Sequence, residues 1–87
     1  MEKEQFKVID KAGLHARPAS IICKVASQHP GDVNIVYNGK TVTLKSIMML
    51  MSLGIPYNAT FIIEVDGEGA AEKLEEIKSV LLEHSII

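Results

Sequence analysis

The stretch from Val33 to Leu44 constrains the fold more than any other part of the chain. Val33, Ile35 and Tyr37 alternate with polar or smaller residues, Asn38-Gly39 follows, and Val42 and Leu44 alternate with Thr41 and Thr43. A period of two puts every second side chain on the same face of an extended strand. Asn-Gly between two such runs supplies the two positive φ angles of a type I′ turn, which closes a β-hairpin. A hairpin with one apolar and one polar face buries only the first, so other elements have to cover it.

The remaining punctuation supplies those elements. Phe6 and Val8 share one face of a short run from about Gln5 to Ile9, which predicts a strand. Lys11-Ala12-Gly13-Leu14 reads as a loop with a glycine hinge. From Ala16 onward, Ala19, Ile22, Cys23 and Ala26 recur at helical spacing. Pro18 is tolerated only in a first helical turn, so this helix should begin close to His15, and His29-Pro30-Gly31-Asp32 should end it. After the hairpin, Ser46 precedes a short apolar segment that stops at Leu53-Gly54, a brief helix with a serine N-cap and a glycine stop. Phe61, Ile63 and Val65 alternate again, Gly67-Glu68-Gly69 turns the chain, and Ala70, Leu74, Ile77 and Leu81 mark one face of a closing helix. The order is β-α-β-β-α-β-α. With no repeat, linker or low-complexity segment, residues 1–87 are expected to form one small α/β (α+β) domain, a two-layer sandwich with helices over the apolar sheet face.

Several function classes fit poorly. Nine Lys and Arg against eleven Asp and Glu leave a net charge of −2, whereas nucleic-acid partners select basic surfaces. Cys23 is the only cysteine and makes neither a disulfide nor a CxxC motif, which suits a reducing cytoplasm. The charged start MEKEQFKV has no apolar signal core, and the longest apolar stretch, Ile47 to Ile55, is too short to span a bilayer. His15, His29 and His84 do not form a metal-ligand set, and no cofactor is expected. His29 and His84 read as ordinary surface histidines.

Gly13-Leu14-His15-Ala16-Arg17-Pro18-Ala19 carries the chemistry. His15 falls at a loop-to-helix boundary, where unpaired first-turn amides and the positive end of the helix dipole favour an anion. That field should also disfavour imidazolium and leave a neutral ring nitrogen able to attack phosphorus. Arg17, two positions on, offers a planar donor fork suited to phosphate oxygens. Together these are the parts of a phosphohistidine site, although spacing alone also allows His15 to be a plain helix cap beside a solvated arginine, since such caps are common. Ser46 also has two readings, a simple N-cap or a phosphorylation site whose charge a helix N-terminus tolerates and Lys45 helps to screen. Ile47, Met48, Met49, Leu50, Met51 and Leu53 are apolar almost all round a short helix, so either all fill the core or some form an exposed patch. Met48 and Met51 are the residues expected outside.

The chain resembles the HPr family of phosphocarriers of the bacterial sugar phosphotransferase system, in the form found in low-GC Gram-positive bacteria. The segments that carry this are Gly-Leu-His-Ala-Arg-Pro-Ala at 13–19, Tyr-Asn-Gly-Lys at 37–40, and Leu-Lys-Ser-Ile-Met at 44–48 with Met51-Ser-Leu-Gly54. The resemblance implies an open-faced sandwich of a four-stranded antiparallel sheet covered by three helices. It implies that His15 takes a phosphoryl group on Nδ1 from Enzyme I and passes it to Enzyme IIA, with Arg17 stabilising it. It implies that HPr kinase/phosphorylase modifies Ser46, producing a form that binds catabolite control protein A. Ile47, Met48 and Met51, with Ser20 and Lys24, would be the partner-docking residues. Such a protein is a substrate of other enzymes and not itself an enzyme. The alternatives are a regulatory paralogue that works mainly through Ser46, and an unrelated small sandwich that works by protein–protein contact.

This chain departs from the family in three places. Ala12 stands where Ser or Asn is common and cannot hydrogen-bond a phosphate. Met49 stands where Gly is common, and Met49-Leu50 is expected to thicken the docking surface. The end, His84-Ser85-Ile86-Ile87, is unusually apolar.

Overall fold

The computed structural model describes all 87 residues, Met1–Ile87. Its elements are β1 (Glu2–Lys7), α1 (Ala16–Ser27), β2 (Val33–Tyr37), β3 (Lys40–Thr43), α2 (Ile47–Ser52), β4 (Thr60–Val65) and α3 (Ala70–Glu83). The four strands form one antiparallel sheet in the order β1-β4-β2-β3. The helices cover one face of it, which is the α+β open sandwich of the sequence reading.

The hairpin closes as its residues require. Tyr37 pairs with Lys40 across Asn38 (φ 51°) and Gly39 (φ 79°), so both turn residues take the positive φ of a type I′ turn. Phe61, Ile63 and Val65 of β4 point inward beside Val33 and Ile35 of β2, and all five are buried. Ala19, Ile22, Cys23 and Ala26 of α1 and Ala70, Leu74, Ile77 and Leu81 of α3 close over them. Phe6 sits opposite Phe61 with ring centroids 5.7 Å apart and planes tilted by 40°. A tilted aromatic pair of this kind contributes about 0.5–1.5 kcal/mol beyond the area it buries. Cys23 lies inside this core, where burial pushes its thiol up to about 11 and leaves it a small apolar filler.

β1 begins three residues earlier than the alternation suggests. Glu2, Glu4 and Phe6 share a face, and Glu4 is an inward position at the sheet edge whose carboxylate meets Lys78 of α3 at 3.1 Å. An ion pair at the rim takes the place of an apolar residue there, so the hydrophobic period misses it.

Two glycines act through close approach. Gly13 has φ +71°, and a Cβ there would stand 2.5 Å from Ile55 O, so the residue is a fixed contact point and not a hinge. Gly31 lies against the Asp66 carbonyl with no room for a side chain, which lets Asp32 O accept from Asp66 N at 2.9 Å.

His29 corrects the sequence reading. It is buried, with 4% of its surface exposed, and Nε2 donates to Asp66 O at 2.6 Å. Its own carbonyl accepts from Lys45 Nζ at 2.7 Å. One residue thus ties the end of α1 to the β4–α3 turn and to the segment before α2. Lys45 is thereby held at His29 and is not free to screen Ser46. His84, by contrast, is half-buried at the end of α3.

The apolar C-terminus is structural. Ser85 takes φ 57°, Ile86 N donates to Leu81 O at 2.9 Å, and Ser85 N to Leu82 O at 3.0 Å, the crossed bonds of a Schellman stop. Ile86 then plugs the core with no exposed surface, and its carbonyl accepts from Ile9 N at 2.7 Å.

His29→Ala should lower the unfolding free energy by about 1–3 kcal/mol in urea titrations, because Asp66 O loses its buried donor. His84→Ala should stay within about 0.5 kcal/mol of the parent. Equal losses would remove the structural role given to His29.

Candidate functional site

α1 starts where Pro18 and the Gly13 contact force it to. His15 is its N-cap in extended conformation (φ −86°, ψ 175°), with no side-chain capping bond, and the first intrahelical bond runs from Ala19 N to His15 O at 3.1 Å. The imidazole is therefore not spent on capping. Among the first-turn residues Pro18 carries no N–H, and the amides of Ala16 and Arg17 have no partner in the chain. No acidic residue lies in the first turn of α1, so the positive end of its dipole is uncompensated from within the helix.

The His15 side chain is 42% exposed, and its one hydrogen bond joins Nε2 to Asp10 Oδ2 at 3.2 Å. Nδ1 has no partner. The sequence reading passed over Asp10. Its Oδ1 accepts from Ala12 N at 2.8 Å, an Asx turn closed by Gly13 N donating to Asp10 O at 2.9 Å. The Ala12 amide holds the Asp10 carboxyl below its usual range, and the His15 contact adds to this. The sequence signal was present as an Asp three positions before a Gly, but only the folded turn shows that the spare oxygen reaches His15.

Arg17 is exposed, and its guanidinium makes no hydrogen bond or ion pair. Arg17, Ser20 and Lys24 follow one another at helical spacings of three and four, on one exposed ridge of α1. Ser20 Oγ donates to Arg17 O at 2.9 Å.

α2 lies next to this ridge. Ser46 is its N-cap, and Oγ accepts from Met49 N at 3.2 Å, as expected. Ile47, Met48, Met49 and Met51 are exposed, Met48 most of all at 79%, whereas Leu50 is 2% exposed. Met48 and Met51 are thus outside as expected. Of the pair Met49-Leu50, only Met49 adds to the surface, because Leu50 faces the sheet. A cleft of about 370 Å³ joins the two parts of the site, with Ala12, His15 and Ala16 on one wall and Met51, Gly54 and Pro56 on the other. No three His, Cys, Asp or Glu side chains converge to hold a metal ion, and no helix is long and apolar enough to cross a membrane. Chemically, the site offers a ring nitrogen without a partner, two free amides and a free guanidinium near an apolar surface, which suits an anionic group.

Known proteins share this fold over nearly its whole length. A family model described as the phosphorylation site of the phosphotransferase system HPr component matches residues 2–83. The histidine-containing phosphocarrier protein of Mycoplasma superposes with a TM-score of 0.96 at 36% identity, over 99% of this chain and 98% of that one. The phosphocarrier protein HPr of Bacillus anthracis gives 0.82 at 37% identity, over 91% and 94%. Crh, the catabolite-repression HPr of Bacillus subtilis crystallised as a swapped dimer, gives 0.73 at 33% identity over 100% of both chains. With the family model covering nearly the whole chain and these relatives matching it from end to end, the chain belongs to the HPr family of phosphocarrier proteins of the phosphotransferase system.

Proposed function

We propose that the chain acts as one HPr unit in which Nδ1 of His15 takes a phosphoryl group from phosphorylated Enzyme I and passes it to Enzyme IIA components of sugar transporters. The observation that carries this is the unpartnered Nδ1 of the partly exposed His15 at the start of α1, where the amides of Ala16 and Arg17 are free as well. The donor's P–N bond breaks as the Nδ1–P bond forms, with attacking and leaving nitrogens in line. The amides and the Arg17 guanidinium meet the phosphoryl oxygens, and this charge neutralisation is the protein's contribution to the step. Ala12 presents no side-chain donor, so the backbone and Arg17 carry that role. The exposed Ile47, Met48 and Met51, with Ser20 and Lys24 on the α1 ridge, form the docking face, and flexible thioethers let one face serve several partners. The partners are cytoplasmic, and so is the carrier. It has no turnover chemistry of its own.

Ser46 is the proposed regulatory site, modified by HPr kinase/phosphorylase and then read by catabolite control protein A. Its N-capping position, only half-buried, supports this, since a phosphate there would meet the first-turn amides of α2. The likeness to Crh, named for catabolite repression, favours a second reading in which regulation through Ser46 is the main task.

Incubation with phosphoenolpyruvate and Enzyme I should add one acid-labile phosphate by intact-mass spectrometry, and His15→Ala should abolish it. Undiminished labelling of that variant would sink the site assignment. An unlabelled parent chain, with an Enzyme I shown active on another carrier, would favour the regulatory reading. Arg17→Ala should slow transfer roughly tenfold to a hundredfold, the worth of a hydrogen bond to a charged group, without changing the urea midpoint. Parental transfer kinetics would exclude Arg17 from the site. Ser46→Ala should lose only the ATP-dependent label added by HPr kinase/phosphorylase, and a surviving ATP label would point to another residue.

A further inference from the structure

Asp10 divides its two carboxylate oxygens between two tasks. Oδ1 accepts from the Ala12 amide at 2.8 Å, which fixes the carboxylate on its own turn, and Oδ2 then stands 3.2 Å from His15 Nε2. The turn is closed a second time by Gly13 N donating to Asp10 O, and Gly13 is pinned by its contact with Ile55. The carboxylate is thus placed by backbone on both sides and is not a side chain that happens to reach the ring.

The ionised carboxylate only accepts hydrogen bonds, so its contact with His15 requires the proton on Nε2. A neutral imidazole carries a single ring proton. With that proton on Nε2, the lone pair is on Nδ1, the nitrogen that faces away from Asp10 and has no partner in the chain. A proton on Nδ1 instead would leave two lone pairs opposed across 3.2 Å and would occupy the nitrogen that must attack.

We propose that Asp10 is a positioning residue for phosphoryl transfer: by holding the proton of His15 on Nε2, it selects Nδ1 as the nucleophile and fixes the plane of the ring. The proposal rests on the phosphocarrier reading of His15. In the step, the Nδ1 lone pair forms the new N–P bond while the donor's P–N bond breaks and its electron pair returns to the donor nitrogen. The Nε2 proton stays in place and no proton is released. The ring gains a positive charge that faces the Asp10 carboxylate, an interaction stronger in the phosphorylated state than before it. Onward transfer reverses this and restores the neutral Nε2–H ring.

Asp10→Asn separates this role from a structural one. The amide oxygen can still accept from Ala12 N and keep the turn, but the NH2 group left facing Nε2 donates and drives the ring proton to Nδ1. The measurement is the ring 15N chemical shifts of neutral His15, by long-range 1H–15N correlation, together with the initial rate of phosphorylation by Enzyme I. In the parent chain the unprotonated nitrogen should be Nδ1. In Asp10→Asn it should become Nε2, and the rate should fall at least about tenfold, as expected when an orienting carboxylate is replaced by its amide. Asp10→Ala, which removes the carboxylate without supplying a donor, should populate both tautomers and slow transfer less. A parent ring protonated on Nδ1 would overturn the proposal, and so would an Asp10→Asn variant with the parental tautomer or the parental rate. The tautomer is read without Enzyme I, so it tests Asp10 on its own. A parent chain that shows the Nε2–H ring but takes no phosphate would instead refute the carrier reading.

Discussion

Leu14 donates its amide to Ile55 O at 3.0 Å across a gap that stays open only because residue 13 has no side chain. Much of the functional face depends on this junction. It stops the chain leaving β1 at one place, so α1 has to begin at His15, and it holds the exit of α2 beside that start. The cleft between His15 and Met51 is the space left between the two segments it joins. A methyl group at position 13 would press on backbone and not on a side chain that could turn away, so the strain would spread to the site loop and to the α2–β4 connection together.

The site combines rigid backbone with exposed reactive groups. Pro18 removes a donor that would have been unpaired, and it fixes the first turn of α1 without occupying His15 as a side-chain cap. The imidazole is held only at Nε2, by a carboxylate that is itself tied to the Ala12 amide. In the proposed carrier role the partly exposed His15 would need a partner to supply the surroundings that exclude water, and the exposed methionines of α2 are the surface such a partner would meet. Leu50 and Ser46 meanwhile anchor α2, one in the core and one at its N-terminus, so the exposed methionines project from a fixed base.

The misreadings of the sequence share a physical origin. Hydrophobic period found the inward residues of β2 and β4 and the apolar faces of α1 and α3, because there each position's environment follows from its neighbours along the chain. It began β1 too late because Glu4, an inward residue, is satisfied by Lys78 from a helix more than seventy residues away. It left His29 on the surface because histidine beside Pro-Gly looks solvated until Gly31 admits the Asp66 carbonyl. It saw Lys45 as free because nothing near it in sequence shows that the end of α1 needs a donor.

The sequence by itself determined what depends on residues close together in the chain. This includes the I′ turn at Asn38-Gly39, the start of α1 near His15, the cap at Ser46, the stop at Gly54 and the set of residues that could carry a phosphate. Each follows from steric limits on φ and from hydrogen-bonding groups within a few positions, and those travel with the residue types. The tertiary structure alone decided the contacts that close large loops. These are the meeting of the α1 start with the α2 exit, the lock at His29, the insertion of Ile86 into the core and the outward turn of Met49 while Leu50 goes inside. Asp10 lies between the two cases. It is only five residues from His15, yet whether its second oxygen reaches Nε2 depends on the path of the backbone through Gly13, and that path is set by Ile55 on the far side of the hairpin.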